Sequence, residues 1–352
     1  MESYLPVVWA ILIAASVGFY VVLDGFDLGA GALHLFVART DPERRQVLAA
    51  IGPFWDGNEV WLLAAGGVLF VAFPRVLSAG ISGFYFAIFL VLWCLILRGI
   101  AIEFRSHVQD PVWRLSWDFF FSLASTLLPV FFGAALGNLL RGVPLTADGW
   151  FELTLFTDFS AKEPVGILDW YTCLVGVFAL AALAAHGSAF LAWKTGGLVH
   201  ERSRVAARRL YAVVAVLWPL VTLATWQVNR PLLEALASRP IAILLAAVAV
   251  AGLAAAYRGL ASGRDLGAFI GSSTFLAGLS TATAACVFPV MLRAIPEGTR
   301  SITAFNSGGD PAGLQTALRW LVLGLPLALL YIFLVFRLHR GRPDTPAEGE
   351  GY

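Results

Sequence analysis

Charge is scarce in this 352-residue chain: Asp, Glu, Lys and Arg make up 13% of it, against about 25% in an ordinary soluble domain. With 59% hydrophobic residues, that scarcity excludes a soluble globular fold and leaves a polytopic membrane protein. Cysteine is nearly absent. Cys94, Cys173 and Cys286 lie far apart, each in an apolar run, which excludes a disulfide framework or a thiolate metal set and makes them small buried hydrophobes. Glycine-rich phosphate loops, CxxC pairs, HExxH and nucleophile elbows are missing, so the chain alone carries no machinery for hydrolysis, phosphoryl transfer or metal redox chemistry. A net charge of +1 gives no footprint for a nucleic-acid partner. Met1-Glu2-Ser3-Tyr4 lacks the basic start of a secretory signal, and the following apolar run is too long for a signal core, so the first segment is expected to remain.

What is present is a series of apolar stretches. Hydropathy predicts nine transmembrane helices, near residues 6–36, 49–73, 81–104, 115–140, 166–193, 207–228, 240–257, 267–292 and 313–337. A β-barrel would need short alternating strands, whereas these runs are continuously apolar. The expected fold is therefore all-α. Pro129 and Pro289 occupy comparable places in the fourth and eighth spans. They suggest two four-helix units, 1–140 and 166–292, separated by an outer loop at 141–165 and followed by a peripheral ninth helix at 313–337 and a tail at 338–352. The tail past Arg342 is polar and expected to be disordered. One set of connections holds Arg39, Arg44, Arg45, Arg105, Arg114, Lys194, Arg202, Arg204, Arg208, Arg209, Arg258, Arg264, Arg337, Arg340 and Arg342. The other holds about half as many basic residues, which puts the C-terminus in the cytoplasm and the N-terminus outside.

Two acidic motifs interrupt the apolar runs, Asp24-Gly-Phe-Asp27 and Trp55-Asp56-Gly57-Asn58-Glu59. An Asp at the centre of a membrane helix costs about 2.5–3.5 kcal/mol on insertion scales, so such residues face a bundle interior and often mark ion or proton paths. Asp24 and Asp27 share a helical face, as do Asp56 and Glu59. At 1.5 Å per residue, Asp24 lies roughly 22 Å from Arg39 and Asp56 roughly 16 Å from Arg45, so the motifs are expected to meet in the cytoplasmic half. Asn58, Trp55 and Trp61 are nearby hydrogen-bond partners. Mutual repulsion favours one acid holding a proton, which suits a relay. The competing reading is a structural polar clamp. Arg98, Glu103 and Arg105 near the end of the third span are charge partners, for one another or for the acids.

Among five histidines, His34 and His186 fall inside spans. A bis-histidine haem would need both at one level across a cavity; satisfied interface histidines are the alternative. The run from Lys194 to Arg209 has two readings, a cytoplasmic topology anchor or a patch that attracts anionic membrane lipid.

The acidic segments, together with Leu97-Arg-Gly-Ile-Ala-Ile-Glu-Phe-Arg105, Phe131-Phe-Gly-Ala-Ala-Leu-Gly-Asn138, His186-Gly-Ser-Ala-Phe-Leu-Ala-Trp-Lys-Thr195 and Cys286-Val-Phe-Pro-Val-Met291, resemble subunit II of the cytochrome bd-type ubiquinol oxidases. The last segment, continued to Ala294, resembles the cyanide-insensitive branch. The resemblance implies a bacterial inner-membrane complex of the respiratory chain that oxidises quinol and reduces dioxygen to water. It implies that two haems b and one haem d lie in a partner subunit I, leaving this chain haem-free. It further implies proton delivery by Asp24 and Asp56, with Asp27 and Glu59 as further members, and an oxygen route beside Trp61. Some relatives hold a structural quinone or a small single-span accessory subunit. An independent proton-coupled transporter is the alternative reading of the residues alone.

Overall fold

The computed structural model describes residues 4–296 and 301–343. The chain begins with α1 (Leu5–Val37), whose 33 residues extend about 50 Å and overrun a hydrocarbon layer about 30 Å thick. A capped turn follows. Thr40 and Glu43 form a capping box that starts α2 (Asp41–Ile51), with the Thr40 N–H donating to Glu43 Oε2 at 3.1 Å. The Gly52-Pro53-Phe54 break separates α2 from α3 (Trp55–Ala72), so the predicted second span is two helices rather than one.

Phe73-Pro74 then turns the chain through 120° into α4 (Pro74–Gly83), because the residue before proline is driven out of helical conformation while proline is tolerated in a first turn. The course continues through α5 (Tyr85–Phe104), α6 (Pro111–Arg141), α7 (Trp170–Lys194), α8 (Gly197–Val228), α9 (Arg230–Ser238), α10 (Pro240–Ala261) and α11 (Asp265–Val287). A short antiparallel pair, β1 (Val290–Leu292) and β2 (Ile302–Thr303), precedes α12 (Pro311–Leu338). Among the described residues eight helices are individually long and apolar enough to cross a membrane, and the bent α3–α4 pair supplies a ninth crossing if it acts as one span.

The predicted eighth span ends early. Helix α11 stops at Val287 and Val290–Leu292 is strand, so Pro289 lies beyond its helix while Pro129 lies inside α6. The two prolines are not in comparable places. The 141–165 connection packs onto the bundle. Phe151 is buried edge-on to Phe84 at 5.1 Å, and Val143 bridges to Ala294. The polar tail at 344–352 lies outside the described residues.

Helix α7 is the centre of the bundle, and glycine lets α1 lie directly on it. A Cβ at Gly29 would come within 1.9 Å of the Leu183 carbonyl oxygen, and one at Gly187 within 2.3 Å of the Ala30 backbone. Close backbone approach of this kind is how membrane helices gain packing where no hydrophobic driving force separates lipid from Leu. Gly29→Ala is therefore expected to force the helices apart and to cost more than the roughly 1–3 kcal/mol of ordinary overpacking. A thermal unfolding curve of the purified complex checks it, and an unshifted midpoint would contradict this packing. Helix α12 is the opposite case: Leu314 is its one buried residue among those described, so it lies at the periphery.

Candidate functional site: a buried ion-pair network

Asp24 and Asp27 occur in a glycine-rich stretch of α1 buried at every residue from Leu23 to Ala32. Both carboxylates are therefore withdrawn from lipid. Arg98 of α5 meets them, itself fully buried, with Nη1 donating to Asp24 Oδ1 at 2.8 Å and Nη2 to Glu59 Oε2 at 3.0 Å. One guanidinium thus joins α1, α3 and α5. Its fork geometry suits two carboxylates better than an ammonium would.

Asp27 is held differently. Asn58 of α3 donates through Nδ2 to Asp27 Oδ2 at 2.7 Å and to the Leu23 carbonyl at 3.2 Å. The other oxygen, Oδ1, is buried without a hydrogen-bond partner. Asp27 is consequently the network acid that leans on a neutral amide instead of a cation. Arg98 Nε is buried without a partner in the same region, and the buried Tyr20 hydroxyl lies against the Asp24 carboxylate.

Asp56 does not join this group. It turns outward on the second residue of α3 and is exposed, while Glu59, with its side chain 22% exposed, turns in toward Arg98. The expected meeting of Asp24 with Asp56 is replaced by Asp24–Arg98–Glu59, because the break at Gly52–Phe54 sets which face of α3 looks at α1. Trp61 is buried and stacks on Phe19 with ring centroids 4.5 Å apart. Glu103 is exposed. Arg105 engages neither Asp24 nor Glu59 but a second cluster.

That cluster centres on Asp118 of α6, which sequence reasoning missed. Arg105 Nε donates to Asp118 Oδ1 at 2.6 Å, Arg44 Nη1 to Oδ2 at 3.1 Å, and His34 Nε2 lies 2.7 Å from Oδ1. Arg105 also reaches Asp41 at 2.8 Å. The signal was there: an Asp in the apolar run Trp117-Asp118-Phe119 with basic residues near the same depth. Alongside, Glu43 takes the Arg202 guanidinium at 2.9 Å. Burial raises the Glu43 carboxyl, but the Arg39 N–H, Arg202 and the Thr40 N–H outweigh it and hold it below the usual glutamate range.

A third pair closes the opposite ends of α6 and α7. Arg141, at the last residue of α6, is buried against Asp169 and receives further support from Asn138 Oδ1 at 2.7 Å. The basic run after Lys194 is largely engaged: Arg204 pairs with Asp265 at 3.2 Å and donates to the Leu260 carbonyl at 2.9 Å.

Residues 5–339 match the family model described as "Cytochrome bd terminal oxidase subunit II". The chain belongs to this family. It is 30% identical over 364 aligned positions to the "Probable cytochrome oxidase subunit 2" of Haemophilus influenzae, covering 96% of this chain and 94% of that one. It is 37% identical over 213 residues to the "Cytochrome bd-I ubiquinol oxidase subunit 2" of Escherichia coli K12, a match spanning 60% of this chain but only 55% of that relative's length. The bd oxidase of Geobacillus thermodenitrificans shares the fold, with a TM-score of 0.74 at 16% identity, covering 96% of this chain and 98% of that one. The chain is a multi-pass protein of the bacterial cytoplasmic membrane.

A cytochrome family implies haem in the complex, but His34 and His186 do not fit one. His34 Nε2 is taken by Asp118, and His186 uses Nδ1 on Ser272 at 2.7 Å and Nε2 on the Val22 carbonyl at 2.9 Å. Val22 and His34 are also about 18 Å apart along α1, so the two histidines do not share the level that a single iron requires.

Proposed function

We propose that this chain is the haem-free second subunit of a quinol:dioxygen oxidoreductase, supplying scaffold and a cytoplasmic proton half-channel to a haem-bearing subunit I. The observation that carries this reading is Asp27: a carboxylate 1% exposed, inside a membrane helix, bonded to a neutral amide and left with one free oxygen. A purely structural clamp would favour a cation there, as Arg98 provides for Asp24. Asp27 is the group suited to taking and releasing a proton, and Arg98 keeps Asp24 and Glu59 as fixed counter-charges beside it.

The half-channel runs from the basic end of the bundle toward Asp56. An exposed carboxylate so close to the hydrophobic run of α3 is costly against lipid, which supports a protein neighbour on that face. Subunit I is that neighbour in this reading. Its haems would carry the electron chemistry, quinol to dioxygen, while the acids here accept and pass protons. Trp61, packed against Phe19, is a candidate wall of an oxygen route.

Copurification tests the assembly: a tagged chain brings down a haem-containing partner with quinol:oxygen activity, and a chain that purifies alone would overturn the reading. Asp56→Asn tests the path. In an assembled complex it is expected to slow oxygen reduction by up to about 10²-fold, the lower end of what one positioned proton-transfer group contributes. Undiminished turnover would remove Asp56 from the route.

A further inference from the structure

A small cavity lies between the first turn of α3 and the last two turns of α12. Pro53, Phe54, Gly57 and Asn58 line one side, and Tyr331 and Phe336 are among those lining the other. It is a partly open niche of about 10 Å³, close to the minimum that holds one water molecule, and Tyr331 on its α12 side is half exposed. A bound water needs polar neighbours as well as room, and the Asn58 amide and Tyr331 hydroxyl are both at hand. Glycine keeps the space open, since a Cβ at Gly57 would come within 3.1 Å of the Tyr331 hydroxyl.

The cavity's wall is also the network's wall. Asn58 reaches from it to Asp27 Oδ2 at 2.7 Å, and Asp27 Oδ1 has no partner. The far wall is fastened rather than packed. Beyond Leu314, α12 has no buried residue among those described, yet its end is pinned by Lys194, whose Nζ donates to the His339 and Gly341 carbonyls. The same ammonium lies 5.3 Å from the Phe54 ring, which itself lines the cavity. A cation on the last carbonyls of a helix also suits the negative end of its dipole.

We propose that the α3–α12 cavity is a single-water port through which protons reach Asp27, with Asn58 as the positioning residue between them. This rests on the proton half-channel proposed above. Asn58 lines the cavity and Asp27 stands behind it, so a proton entering on the port water reaches the Asp27 carboxylate over a further water: an O–H bond breaks on each donor as one forms on the next acceptor, leaving neutral water and a neutral carboxylic acid. The port lies at the end of the bundle that carries Arg44, Arg45, Arg337 and Arg340, the side from which protons would be drawn.

The test is to block and reopen the port in the assembled complex. Gly57→Val should fill the cavity, slow oxygen reduction by up to the roughly 10²-fold expected when the Asp27 proton transfer is lost and enlarge the deuterium solvent isotope effect, with haem content unchanged. Removing the opposing ring in Gly57→Val/Tyr331→Ala should restore most of the rate. Should Gly57→Val fail to assemble, Tyr331→Trp fills the same space from α12 and is read in its place. Full turnover in the filled variant, or a slow variant that the second substitution does not rescue, overturns the port. Asp27→Asn separates the two ideas. If it is slow while the filled port runs at full rate, only the port fails; if Asp27→Asn is itself fully active, the half-channel fails.

Discussion

Arg98→Met is expected to be the most damaging single substitution in the membrane interior, costing about 3–5 kcal/mol, the usual loss when one member of a buried ion pair is removed. The reason is the charge left behind. Asp24, with no exposure, would keep an unpaired carboxylate in the middle of the bundle, and Glu59 would lose its partner as well. Neutralising what remains should recover much of the loss, because a buried ion pair replaced in full by neutral groups is often no less stable than the original. The order expected from thermal unfolding of purified complexes is wild type, then Arg98→Met/Asp24→Asn/Glu59→Gln, then Arg98→Met well below. If the single and triple variants unfolded together, the guanidinium would not be holding α1, α3 and α5 through those carboxylates.

Asp27→Asn is expected to behave in the opposite way, preserving the complex and disabling it. The amide is isosteric with the carboxylate, and no cation is left unpaired, since the partner of Asp27 is Asn58. Turnover should nevertheless fall about 10²-fold, within the range lost when a proton-transfer group is removed, as judged by oxygen consumption with excess quinol. The contrast between the two variants is informative. Arg98 acts on stability through charge compensation, while Asp27 acts on rate through a proton.

Hydropathy made the membrane crossings legible because burial in lipid demands long apolar runs, and the bounds of α1, α7 and α12 follow those runs closely. It also singled out Asp24 and Arg98, since charge in such runs needs a partner. It could not say which partner. Asp24 and Arg98 are 74 residues apart, and nothing local to either encodes that contact. The face of α3 was misread for a related reason. A three-residue break at Gly52–Phe54 resets the helical phase, which sends Asp56 outward and brings Asn58 and Glu59 inward. Asp118 escaped notice because its partners come from three other places in the chain, His34, Arg44 and Arg105. Arg141 stands at a helix end, where hydropathy cannot tell a solvated loop charge from a buried one, and the fold buries it on Asp169. The end of α11 was missed because Phe288-Pro289 sits in an apolar run that continues to Leu292, and hydropathy alone cannot tell a helix from a short buried strand.

Proton uptake during a single turnover tests the half-channel most directly. The fully reduced complex, reconstituted in vesicles, is mixed with dioxygen while a pH indicator reports the compartment on the side of Arg44 and Arg337. The account predicts that protons disappear from that side at the rate of oxygen reduction in wild type, and that Asp27→Asn slows uptake and turnover together. Uptake from that side at the wild-type rate in an intact Asp27→Asn complex would contradict it.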